Sequence, residues 1–92
     1  MFLEIVTPEA VLFKGEVDSV AVPGVNGEFQ MLNNHAPIVS LLQAGTVKIY
    51  GNITINEAYK NKFSKDEKGI TILPITSGTI ELKDNKAIVL AD

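Results

Sequence analysis

The chain has 92 residues, 46% of them hydrophobic, a formal net charge of -3 and neither cysteine nor tryptophan. That length holds one domain and excludes a second. The mildly acidic balance excludes the basic footprint of a nucleic-acid binder, and the missing cysteines exclude disulfides, thiolate catalysis and Cys-ligated metals together.

The first residues, Met1-Phe2-Leu3, run straight into Glu4, with no basic segment and no apolar segment of a signal peptide. Leu3 and Ile5 straddle Glu4, which predicts a strand with one face on a core. Thr7-Pro8 and Lys14-Gly15 are turn signals, and Val20 and Val22 then alternate with Ser19 and Ala21. Residues 23–37, PGVNGEFQMLNNHAP, gather turn signals around a short apolar run. After Ala44-Gly45, Val47 and Ile49 alternate with Lys48, and Gly51-Asn52 marks a candidate hairpin to Ile53–Ile55. Residues 57–68, EAYKNKFSKDEK, carry seven charges of both signs and predict a solvated loop, or two short exposed strands joined by one. After Ser77-Gly78, the clearest hairpin spans Thr79–Leu90, where Asp84-Asn85 tolerate the positive φ of a tight turn. The apolar run Ala87–Ala91 is far short of the ~18 residues of a spanning helix.

No window carries apolar residues at helical spacing, and many short strands between regular turn signals predict an all-β sandwich or barrel, residues 1–92 forming a single domain. The expected core is Leu3, Ile5, Val20, Val22, Leu32, Val47, Ile49, Ile72, Ile80, Leu82, Ile88 and Leu90. At 9.9 kDa the folded surface is expected to be about 5,200 Å².

Candidate chemistry is sparse. His35 has no nucleophile motif beside it, and one histidine without cysteine cannot supply the three or four ligands zinc needs. It is expected to be a turn residue. Gly24 and Gly27 lack the following Lys-Ser/Thr and helix of a phosphate loop, and Glu28 has the wrong sign for an anion site. Glu16 and Asp18 share a strand face by period two, which is more simply a solvated pair than an acid–base couple. The expectation is no catalytic residue, no metal and no cofactor.

The order of Leu3-Glu4-Ile5-Val6-Thr7-Pro8-Glu9, Glu16-Val17-Asp18-Ser19-Val20, Pro23-Gly24 with Gly27-Glu28-Phe29, His35-Ala36-Pro37 and Ala44-Gly45-Thr46-Val47 resembles the epsilon subunit of bacterial and chloroplast F-type ATP synthases. Ser77-Gly78-Thr79-Ile80-Glu81-Leu82, then Asn85 and Val89-Leu90-Ala91-Asp92, is similar to the close of that family's N-terminal domain. The resemblance implies a flattened two-layer β-sandwich of about ten short strands. It further implies a non-catalytic rotor subunit of the central stalk, joining the gamma subunit to the ring of c subunits and helping couple proton flow to ATP synthesis. It places the domain on the cytoplasmic face of a bacterial inner membrane, peripheral and held there only through the complex.

Carried over by residue, the resemblance assigns Glu28, with Gln30 and Asn33, to the ring-facing loop, and His35 and Ser40 to the gamma-facing side. Gln30 stands where the family usually has Gly, and Asn33-Asn34 replace Pro-Gly or Pro-Asn. Residues 51–69 are longer and more charged than the family pattern. Most members continue past the Leu-Ala-Asp ending into two helices that inhibit hydrolysis and sometimes bind ATP, so neither role is expected of residues 1–92. The competing reading is a stand-alone β-sandwich module binding carbohydrate or peptide. Against it stands the shortage of aromatic platforms, with two Tyr and four Phe in all.

Overall fold

A computed structural model describes residues 1–92. The strands are β1 (Phe2–Val6), β2 (Val11–Glu16), β3 (Ser19–Gly24), β4 (Gly27–Leu32), β5 (Ile38–Leu42), β6 (Gly45–Tyr50), β7 (Ser64–Lys65), β8 (Thr71–Ile75), β9 (Gly78–Lys83) and β10 (Lys86–Ala91). Hydrogen bonding links them into one curled sheet that reads as two layers. One layer runs β2-β1-β10-β9-β5 and the other β4-β3-β6-β8-β7. The layers join through a single residue pair, Gly24 of β3 with Leu42 of β5. All pairings are antiparallel except β1 with β10. The folded surface is 5446 Å², close to the size expectation.

Both layers turn one row of side chains inward, as period-two alternation demands. Leu3 and Ile5 lie opposite Ala87 and Val89, and these opposite Leu82 and Ile80. From the other layer come Met31, Val20, Ile49, Val22, Val47 and Leu73. All of them belong to one cluster of 19 buried apolar residues.

Four members of the expected core lie elsewhere. Leu32 and Leu90 are 61% and 52% exposed, and Ile72 and Ile88 are only half-buried. In each case the neighbour in sequence faces inward instead: Met31, Val89, Thr71 or Leu73, and Ala87. The alternation is present, but its phase is set by the partner strand. Met31 must oppose Val20, and Val89 must oppose Ile80.

The Asp84-Asn85 turn is found where expected, with φ of 51° and 61°. The Gly51-Asn52 hairpin is not. β6 pairs with β3 and β8, and residues 53–56 form no strand. Gly51 has φ 134° and lies so close to Asp18 that a Cβ would come within 3.0 Å of the Asp18 backbone nitrogen. Its glycine serves that close approach, where Asp18 N donates to Tyr50 O at 2.8 Å.

The charged stretch 57–68 forms a short 3-10 turn over Glu57–Lys62, capped by the Asn56 side chain accepting from Ala58 N, followed by β7. It is solvated on one side only. Ile53, Ile55, Tyr59 and Phe63 pack against the core cluster. Glu16 ends β2 while Asp18 lies beyond it, in the bend before β3, so the pair does not share a strand. No helix is long and apolar enough to cross a membrane.

Candidate interaction surfaces

The outer face of β3 is built from small residues. Ser19 and Ala21 are 4% and 1% exposed although they point away from the core, and Pro23 is also buried. Longer side chains from the flanking strands arch over them. From β4, the Gln30 amide donates to Ser19 Oγ at 2.9 Å. From β6, Lys48 Nζ reaches across β3 to Glu28 Oε1 of β4 at 3.0 Å. The hydrogen bond and negative charge of Glu28 raise the Lys48 ammonium above its ordinary 10.5, so the lysine stays charged throughout the neutral range. Glu28 and Gln30 therefore share one outer row, as residues two apart on a strand must.

Asn33, just past β4, is committed within the fold. Its Oδ1 accepts from the Met1 amino group and from Asn85 Nδ2, both at 2.8 Å. Asn85 Oδ1 in turn accepts from Asn34 N at 2.7 Å. The Met1 amino group also donates to Val17 O at 3.3 Å and lies 3.4 Å from Glu16 Oε2. This network ties the β4 exit to the β9–β10 turn and accounts for Asn33, while Asn34 contributes only its backbone N–H and suits its position by tolerating a φ of 63°. Asn33→Ala removes the shared acceptor, an expected cost of about 0.5–1.5 kcal/mol, read as a lower urea midpoint with an unchanged slope.

His35 lies in the exposed turn before β5. Its backbone N–H donates to Leu32 O, and Nδ1 donates to the Ala36 carbonyl at 2.7 Å. Ser40 falls in the inward row of β5 opposite Ile80, half-buried at the rim, with its hydroxyl on Leu41 O. The polar candidates thus divide into an outer row with Glu28 and Gln30, a structural network at Asn33, and a turn and strand rim with His35 and Ser40. No three His, Cys, Asp or Glu side chains converge in a way that could hold a metal.

A second surface was hidden from sequence reasoning. On the outer face of the β2-β1-β10-β9-β5 layer, register places Leu41, Thr79, Leu90, Val6 and Val11 in one row crossing all five strands. None is charged, and Leu41, Leu90 and Val11 are 65%, 52% and 45% exposed. Val39, 76% exposed, begins the adjoining row, which continues through Glu81, Ile88, Glu4 and Lys14. A groove of about 590 Å³ runs beside Leu41, Leu90, Val6, Pro8 and Val25. The only sequence signal was excess: β5 and β10 carry more apolar residues than one inward row can take.

A compact β-sandwich with an ion-paired outer face on one layer and an uncharged, largely apolar row across the other is the makeup of a binding module. The family model for the ATP synthase, Delta/Epsilon chain, beta-sandwich domain matches residues 1–92. The chain belongs to that family. The ATP synthase epsilon chain of Leptospira interrogans (strain Fiocruz L1-130) is 38% identical over 90 residues, covering 98% of this chain and 59% of the relative. The epsilon chain of Chlorobaculum tepidum is 36% identical over 98% of this chain and 86% of the relative. The chain thus spans 59% of the length of the Leptospira relative. Among solved structures, the central stalk and c-ring of Tetrahymena thermophila mitochondrial ATP synthase contains a chain with the same fold. It superposes with a TM-score of 0.71 at 15% identity, over 99% of this chain and 62% of that one. A chain of the Euglena gracilis mitochondrial enzyme gives 0.72 at 17% identity, over 97% of this chain and 48% of that one.

Proposed function

We propose that this domain is a non-catalytic rotor module of an F-type ATP synthase, seated in the central stalk between the gamma subunit and the c-ring. It works by adhesion, passing rotation between two partners while leaving nucleotide chemistry to other subunits. The observation that carries this reading is the uncharged, half-exposed row Leu41–Thr79–Leu90–Val6–Val11. Contiguous apolar surface of this kind on a soluble domain marks a place where another protein lies. The family's name and the central-stalk origin of the structural relatives support the same reading.

Within it, the β5 rim, with Ser40 flanked by exposed Val39 and Leu41 and His35 in the preceding turn, faces gamma. The β4 side, with Glu28 and Gln30 on its outer row and Asn33 at its end, faces the polar loops of the ring. The complex holds the domain peripherally at the cytoplasmic face of a bacterial inner membrane.

The test is charge reversal at Glu28. Glu28→Lys breaks the bridge to Lys48 and sets two ammonium groups side by side, yet an exposed pair is worth only about 0–1 kcal/mol. The thermal midpoint of the isolated domain is expected to stay within a few degrees. Association with purified c-rings is expected to weaken by a few kcal/mol, because like charges brought into a partly desolvated contact are costly. Gamma binding is expected to survive. Normal ring association with a collapsed midpoint would make Glu28 a folding residue and remove the ring assignment.

A further inference from the structure

The Glu28 carboxylate is already occupied. Lys48 Nζ holds Oε1 at 3.0 Å, from a side chain that originates two strands away and spans the floor formed by Ala21 and Pro23. The half-exposed acid thus stands in contact with a full positive charge, and the pair as a whole is neutral. We propose that Lys48 masks Glu28: it is a specificity-determining residue that withholds the carboxylate from adventitious cations and yields it only to a partner offering a well-placed guanidinium or ammonium. This deepens, and for its biological meaning rests on, the reading that the Glu28 face meets the polar loops of the ring.

Two effects of Lys48 oppose each other. By fixing one carboxylate oxygen it orders the side chain a partner must meet. By neutralising the charge it weakens the pull on a basic partner. Ordering is the smaller effect, because β4 is already registered along its length on β3, and an exposed bridge adds little to that. Masking is the larger, since the opposing charge lies in direct contact, well inside the ~8–10 Å over which salt screens exposed charges. The same geometry separates Lys48 from the other lysines. Lys83, at the end of β9 in the opposite layer, forms no ion pair, and its removal changes only the net charge.

The experiment measures binding of a short oligo-arginine peptide to the intact domain at low and physiological salt, alongside association with purified c-rings. Lys48→Met is expected to bind the peptide about two- to five-fold more tightly than the parent, which is the worth of the exposed bridge it no longer competes with. Its affinity is also expected to fall more steeply with salt. Lys48→Arg, which restores the bridge, is expected to match the parent. Lys83→Met reports the gain from net charge alone, and the excess of Lys48→Met over it is expected to vanish in a Glu28→Gln background. Peptide binding unchanged or weakened by Lys48→Met, or an excess that persists in Glu28→Gln, overturns the masking role. The ring measurement answers a separate question. If masking holds for the peptide but Glu28→Gln leaves ring association intact, the mask stands and the assignment of this face to the ring falls.

Discussion

Ile80→Ala is expected to lower the stability of the isolated domain by about 2–5 kcal/mol, the range for large-to-small truncation of a fully buried side chain. Ile80 is 0% exposed and sits on β9 in the inward row, between Ser40 of β5 and Val89 of β10. Neighbours fixed by two hydrogen-bonded ladders cannot collapse far into the space it leaves. For a domain of this size each kcal/mol lowers the thermal midpoint by about 4–8 °C, so the loss is readable by circular dichroism. The informative control is Leu90→Ala. It deletes a larger apolar side chain than its neighbour Val89 carries, but from the outer face, and is expected to stay within about 0.5 kcal/mol. Equal losses at both positions would mean that β10 packs in the other phase.

Gly78→Ala adds a methyl group and is expected to cost as much as truncating a large core side chain. A Cβ at Gly78 falls inside van der Waals distance of the Leu90 carbonyl oxygen and lies 3.3 Å from the Ala91 Cα. These are backbone atoms of a paired strand, so no rotamer change relieves the clash. Gly78 is also paired on its other side with Leu42, the residue that joins the two layers. Shifting β9 to make room strains both ladders, for an expected cost of about 3 kcal/mol, the upper end for overpacking. Gly27→Ala is a useful comparison. Its Cβ would meet nothing within 4 Å, and only the φ of 117° opposes it. If Gly78→Ala proves the milder of the two, the close approach of β9 to β10 is looser than described.

The fold class was legible because alternation of apolar and polar residues is a local property. Leu3-Glu4-Ile5 and Ile80-Glu81-Leu82 carry it without ambiguity, and so does the Asp84-Asn85 turn. Phase was illegible wherever both parities are apolar. In Ala87-Ile88-Val89-Leu90-Ala91 either set can line a core, and size favours the wrong one. Small Ala87 and Ala91 face inward because β10 lies between β1 and β9, whose Leu3, Ile5, Ile80 and Leu82 already fill the space. That is a fact of pairing between residues far apart in sequence. The surface row of Leu41, Leu90 and Val11 was hidden for the same reason, since misplacing Leu90 in the core removes it from the surface. The Glu28–Lys48 bridge was hidden because its partners are two strands apart. Asn33 and Asn34 stood out in sequence as departures from the family pattern, but the reason for Asn33 lies in Met1 and Asn85, at the two ends of the chain, and that for Asn34 in its φ of 63°.

The position of β10 also dictates how the molecule comes into being. It follows the other nine strands in the chain, yet it lies inside its layer, paired in parallel with the first strand along Phe2–Val6. Until residues 86–91 have left the ribosome, β1 has only β2 beside it, and the inward row of Leu3 and Ile5 has no Ala87 or Val89 to cover it. A two-stranded hairpin is marginal in water on its own, and closing β1 onto β10 brings together residues separated by nearly the whole chain, which makes folding slow. The layer that holds β1 therefore gains little by forming before β10. That layer closes only once β10 is available to pair with β1 on one side and β9 on the other.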